Sequence, residues 1–123
     1  MPKVLLVADA PWVVNEVRTA LAVHDWTIDE LSDPREAAGR SVGYNAVIVD
    51  MQVDSMGGMA VIRDIRQQTA GGPRPRLVLL LDRSADAFLA RRAGADASVV
   101  KPVQPYDLRT ALGRAPARAA EEE

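Results

Sequence analysis

Three charged side chains stand at the ends of short apolar runs: Asp9 in VLLVADA, Asp50 in AVIVD, and Lys101 after ASVV with Pro102 behind it. An apolar run of this kind reads as a buried strand, and a charge at its end is delivered to the sheet's edge. In an open α/β sheet that carboxyl-end rim is where loops and helix N-termini converge and ligands bind. A fourth run, LVLLLD, would bring Leu81 and Asp82 to the same rim. Two carboxylates close together repel unless a proton or a cation lies between them, so a hard divalent ion with oxygen ligands is the natural third party. Mg2+ suits the set, because it takes one or two carboxylates and keeps its remaining positions for water and phosphate oxygens. Lys101 would then neutralise a further phosphate oxygen. The constellation reads as one that handles phosphoryl groups.

Positioning these groups requires a particular alternation. Five short β-branched or leucine-rich runs, at about 3–8, 26–31, 45–50, 76–81 and 97–100, are separated by stretches of helical pattern, as in βα units around a parallel sheet. Pro11 opens the first helix, and Val13, Val17, Ala20 and Leu21 share one face. Ser32-Asp33-Pro34 caps a short, weakly apolar second helix from about 34 to 41. Gly57-Gly58 breaks the next loop, after which Met59, Ile62 and Ile65 mark the inward face of a helix ending near Gln68. Ser84 is placed to cap a fourth helix through Arg92, with Gly94 as its stop. Gln104-Pro105 opens a fifth that fades before Pro116. The expected fold is a single (βα)5 layer sandwich over residues 1–115, with 116–123 as a flexible tail.

Bulk properties narrow the alternatives. A chain of 123 residues suits one domain, and 48% apolar with 26% charged residues is ordinary globular composition. The formal net charge of −2 and the scattered arginines give no basic field for nucleic acid. Absence of cysteine removes disulfides and thiolate metal sites, a composition at home in the cytosol. No run approaches the roughly 18 apolar residues of a membrane span, and the N-terminal run is too short for a signal peptide. The reading is of a cytoplasmic protein. Ser55-Met56-Gly57-Gly58 lacks the lysine and hydroxyl of a Walker loop, and no GxGxxG follows the first strand.

The fragments KVLLVADAPW, YNAVIVDMQVDSMGGM and GADASVVKP, in this order, resemble the receiver domain of two-component response regulators over essentially the whole chain. The resemblance implies a flavodoxin-like, CheY-like α/β sandwich of three layers with strand order 2-1-3-4-5. It implies that Asp50 is the phosphoacceptor, taking a phosphoryl group from a histidine kinase or a small phosphodonor. Asp9, Asp50 and the backbone carbonyl of Gln52 would hold Mg2+, Lys101 would bind the phosphoryl oxygen, and the peptide bond before Pro102 would be cis. An aspartyl phosphate is a reactive mixed anhydride, so slow autodephosphorylation is the most catalysis expected.

Against that family pattern the chain departs at several places. Ala8 stands where a second acid usually precedes Asp9, which predicts weak Mg2+ binding. Leu81 replaces the usual threonine or serine, and Asp82 occupies a normally small position, where an inward carboxylate would repel phosphate. The Leu81–Lys101 spacing is about two residues short. Ser84 could supply a hydroxyl but is better placed as a cap. Ser98 replaces the aromatic switch residue, and Asp54 replaces a loop proline. His24 is expected at the surface after the first helix, Trp12 and Trp26 in the core or pocket wall, and at least one of Phe88 and Leu89 in the core.

Two functions follow. The first is a stand-alone, atypical receiver, phosphorylated on Asp50 and signalling through contacts with a target protein, with homodimerisation available on the helix four, strand five, helix five face. The alternative is a phosphorylation-independent interaction module, which gains support if Asp82 salt-bridges Lys101. A hydrolase of external phosphate esters is disfavoured for want of a general base.

Overall fold

The computed structural model describes residues 2–22, 26–54 and 56–113; His24, Ser55 and the 116–123 tail lie outside them. Strands β1 (Lys3–Val7), β2 (Thr27–Leu31), β3 (Ala46–Asp50), β4 (Arg76–Leu81) and β5 (Ala97–Val100) alternate with helices α1 (Pro11–Ala20), α2 (Ala37–Arg40), α3 (Gly58–Gln68), α4 (Ala87–Ala93) and α5 (Pro105–Leu112). All strand pairs are parallel, and the order is β2-β1-β3-β4-β5. The five expected strands are therefore present within a residue at each end.

The sheet is covered on both faces, which is why its strands read as continuous apolar runs. Side chains alternate along each strand: Leu5, Val7, Val47, Val49, Leu77, Leu79 and Leu81 pack beneath α2, α3 and α4. Val4, Leu6, Ala46, Ile48, Val78 and Leu80 pack beneath α1 and α5. Helix α1 buries Val13, Val17 and Ala20 as its spacing predicts, with Pro11 in its first turn. Trp26 packs against the edge of the α1/α5 core. Among the described residues no helix is long and apolar enough to cross a membrane.

The second and fourth helical segments differ from expectation. Each begins as a 3₁₀ turn, Pro34–Glu36 and Ser84–Asp86, before a short α-helix. Asp33 caps the first through the Arg35 N–H, as the Ser-Asp-Pro pattern suggests. Ser84 does not cap the second: the chain enters the turn at Arg83, which makes no side-chain cap bond, and Asp86 folds back to donate its N–H to the Arg83 carbonyl. Gly94 terminates α4 in the left-handed conformation expected of it. Phe88 and Leu89 are both exposed, at 56% and 48%, against the expectation that one would be core. The buried stripe of this short helix is carried by Ala90 and Ala93 instead.

The β4–β5 edge is held by Asp96. Its carboxylate accepts the Leu77 N–H at 2.8 Å and two Arg74 bonds at 2.7 and 2.9 Å, while its own N–H bonds the Leu77 carbonyl at 2.8 Å. Burial alone would raise this carboxyl, but the Arg74 bonds, the Leu77 N–H and the nearby guanidinium charges outweigh it and hold the pKa below the ordinary carboxylate value. A lowered folded pKa stabilises at neutral pH and is lost as pH falls through it. Asp96→Asn is therefore expected to cost about 1–2 kcal/mol at pH 7, reduced for its partial exposure. Urea denaturation of both proteins should show the difference shrinking as the pH drops below about 4.

Candidate phosphoryl-handling site

The geometry of the rim is set by backbone bonds at the ends of β3, β4 and β5. Asp50, the last residue of β3, lies opposite Leu80 and is 1% exposed. The following turn is tied down by Met51 N–H to the Leu80 carbonyl at 3.0 Å and Val53 N–H to the Asp50 carbonyl at 3.1 Å. Gly58 then lets α3 descend on that turn: a Cβ there would lie 2.6 Å from the Met51 Cα and 2.7 Å from the Asp50 carbonyl oxygen. Lys101 follows β5 directly and its N–H bonds the Leu81 carbonyl at 2.8 Å, which sets its side chain across the end of β4. The Lys101–Pro102 peptide is cis, as expected. Beyond it, Glu16 of α1 accepts the Val103 N–H at 2.7 Å and fastens the loop that carries the lysine.

Lys101 reaches Asp50. Its ammonium donates to Asp50 Oδ1 at 2.5 Å, with both side chains almost wholly buried. It also lies 3.0 Å from Asp82 Oδ1, and Asp82 is 37% exposed. The Gln52 side-chain amide donates to Asp82 Oδ2, while the Gln52 N–H donates to Asp50 Oδ1 at 3.2 Å. Asp50, Lys101, Asp82 and Gln52 thus form a closed ring of contacts. Burial pulls the Lys101 pKa down, but the bonds to Asp50 and Asp82 and their charges overcome it and raise the pKa above the ordinary lysine value. Chiefly the Gln52 bond, aided by Lys101 against partial burial, holds the Asp82 carboxyl below its usual range.

The Asp9 and Asp50 carboxylates each take bonds from the described residues on one oxygen only. Both bonds that Asp50 accepts from the described residues fall on Oδ1. Oδ2 accepts no bond from the described residues. Asp9 accepts the Asp54 N–H on Oδ2 at 3.0 Å, and among the described residues Oδ1 accepts no bond. Hard oxygen donors of this kind are the type Mg2+ takes, and one or two carboxylates suffice for it; the described residues contain no group of three or more histidine, cysteine or acidic side chains that could hold a metal ion. Ala8 is buried and contributes nothing to such a site.

Other predicted positions fall as follows. Leu81 is fully buried beneath the α2–α4 layer and offers no hydroxyl, and Ser84 is exposed. Ser98 lies away from the pocket, in a groove of about 440 Å³ between β5 and α5 with Val100, Tyr106 and Thr110. Trp12 is half exposed and its ring lies 5.5 Å from the Lys101 ammonium, making it a wall of the pocket. Three contributors escaped the sequence reading: the Gln52 side chain, Glu16 and the close approach at Gly58. Only the paired glycines left a signal that could have been followed.

A doubly wound sheet with a buried carboxylate on its central strand, a lysine from the edge strand clamped over it and a further acid after the first strand defines a CheY-like domain. The chain matches the family model of the response regulator receiver domain over residues 4–113, and it belongs to that family. It is 31% identical over 113 residues to the two-component response regulator PhoP of Pseudomonas aeruginosa, covering 89% of this chain and 49% of the relative. The transcriptional regulatory protein TrcR of Mycobacterium tuberculosis is 28% identical over 86% of this chain and 42% of its own. This chain thus spans less than half the length of these relatives. Among solved structures, a receiver domain protein from Clostridium thermocellum superposes with a TM-score of 0.81 at 22% identity over 100% of both chains. The receiver domain of the Pseudomonas aeruginosa sensor kinase PA1611, with magnesium in its active-site cleft, gives 0.78 at 23% identity over 92% of this chain and 95% of that one.

Proposed function

We propose that this receiver accepts a phosphoryl group on Asp50 and signals by changing its contacts with a target protein. The observation that carries the reading is the Asp50 carboxylate, buried at the end of β3 with Oδ1 held by Lys101. In transfer from acetyl phosphate, Oδ2 forms the new bond to phosphorus while the phosphorus–acetate bond breaks, its electron pair leaving on acetate. A phosphohistidine of a kinase would lose its phosphorus–nitrogen bond in the same way. Lys101 neutralises charge on the transferred group. Asp9, Asp50 and the Gln52 carbonyl would hold Mg2+, which would supply further charge neutralisation when bound. Output is assigned to the α4–β5–α5 face, where Phe88, Leu89, Val100 and Tyr106 are exposed, available to a target or a second copy in the cytoplasm.

The Asp82–Lys101 ion pair supports a second reading, an interaction module that no longer uses phosphorylation. Acetyl phosphate and Mg2+ separate the two. Intact-mass and peptide spectrometry should find one phosphoryl group on Asp50 in the wild type and none in Asp50→Asn. Wild type indistinguishable from that variant at saturating Mg2+ would establish the second reading.

A further inference from the structure

We infer that Asp82 and Gln52 form a clasp that occupies Lys101 in the resting pocket and has to open before Asp50 can be phosphorylated, which makes Asp82 a rate-setting residue. The inference rests on the phosphoacceptor reading above and adds what limits it. An incoming phosphoryl oxygen and the Asp82 carboxylate oxygen present the same chemistry to Lys101, an anionic acceptor within hydrogen-bond distance of the ammonium. At 3.0 Å, Asp82 Oδ1 already makes that contact, and over a third of the Asp82 side chain is exposed. Gln52 holds the other Asp82 oxygen and so turns a loose surface carboxylate into a fixed one. Because the Gln52 N–H also bonds Asp50 Oδ1, the clasp and the acceptor share one short stretch of chain.

The partial exposure of Asp82 sets the scale. A partly solvated pair can be displaced, unlike the buried Asp50–Lys101 contact, so the clasp slows acceptance without abolishing it. Loss of the negative charge also removes repulsion of the approaching phosphate. Asp82→Asn and Asp82→Ala are thus expected to raise the initial rate of Asp50 modification by acetyl phosphate by about three- to tenfold. Gln52→Ala should act in the same direction. Combined with Asp82→Ala it should add nothing, because either change opens the same clasp.

A second readout does not depend on turnover: beryllofluoride with Mg2+ should bind the Asp82 variants more tightly, followed through Trp12 fluorescence with Trp12→Phe as the blank. Asp107→Asn removes an equal charge from exposed α5 and should change neither measurement. Wild type modified normally, with Asp82 variants no faster and binding no tighter, would overturn the clasp alone. Wild type inert while the Asp82 variants react would overturn the displaceable clasp, because Asp82 would then block the site outright. Inertness of every variant would overturn the clasp and the phosphoacceptor reading together.

Discussion

Lys101→Met should destabilise the fold by about 3–5 kcal/mol, the cost of leaving a buried carboxylate without its partner. Methionine reproduces the length of the lysine stem, so the loss isolates the charge rather than the packing. Asp50 is 1% exposed, and the other described donor to its carboxylate is the neutral Gln52 N–H at 3.2 Å. Asp82 would lose the same cation, which adds repulsion between two acids that Lys101 now bridges. Urea denaturation measures the loss, and a double-mutant cycle identifies its source: Asp50→Asn in the Lys101→Met background should recover most of it, since removing both charges of a buried pair is often close to neutral. Recovery of less than about 1 kcal/mol would show that the lysine is needed for some other contact. Modification of Asp50 by acetyl phosphate should fall as well in Lys101→Met, because the group proposed to neutralise the transferred phosphoryl oxygens is gone.

Gly58→Ala is expected to cost about 2–3 kcal/mol and to impair acceptance at Asp50, although Gly58 carries no functional group. The added methyl would sit 2.6 Å from the Met51 Cα, 2.7 Å from the Asp50 carbonyl oxygen and 2.9 Å from the Leu79 side chain. The first two are backbone atoms of the very turn that presents the acceptor, and they yield only if α3 or the turn moves. Gly39→Ala is the matching control. Nothing lies within 4 Å of a Cβ there, and a helical glycine replaced by alanine should stabilise by about 0.5–1 kcal/mol. Thermal denaturation of the two variants should move in opposite directions. An unchanged Tm for Gly58→Ala would mean that the α3 approach is looser than its geometry indicates.

Much of this site is legible in the chain because it rests on strand ends. A charge that follows an apolar run has one place to go in a parallel sheet with both faces covered, so Asp50 and Lys101 announce a common rim before any fold is known. The helical spacing of Val13, Val17 and Ala20 is an equally local signal and corresponds to the buried face of α1, whereas the cis bond before Pro102 is implied by the family resemblance alone. Phe88 and Leu89 show the limit of periodicity. On this helix of seven residues, which follows a 3₁₀ turn, the small Ala90 and Ala93 take the core while Phe88 and Leu89 are exposed.

The direction of Asp82 belongs to the other category. Sequence places it on the rim beside Leu81, but whether its carboxylate turns outward or onto the lysine depends on Gln52, thirty positions earlier and brought alongside only by β3–β4 pairing. Glu16 reaches the loop behind Pro102 by the packing of α1 against α5, a contact across 87 positions of chain. The sequence by itself determined the alternation, the covered sheet and the charges at its strand ends, because hydrophobic burial acts through residue type and period. Only the tertiary structure decided which of those charges meet, because hydrogen bonds and ion pairs depend on distances of a few ångströms between side chains that the chain keeps far apart.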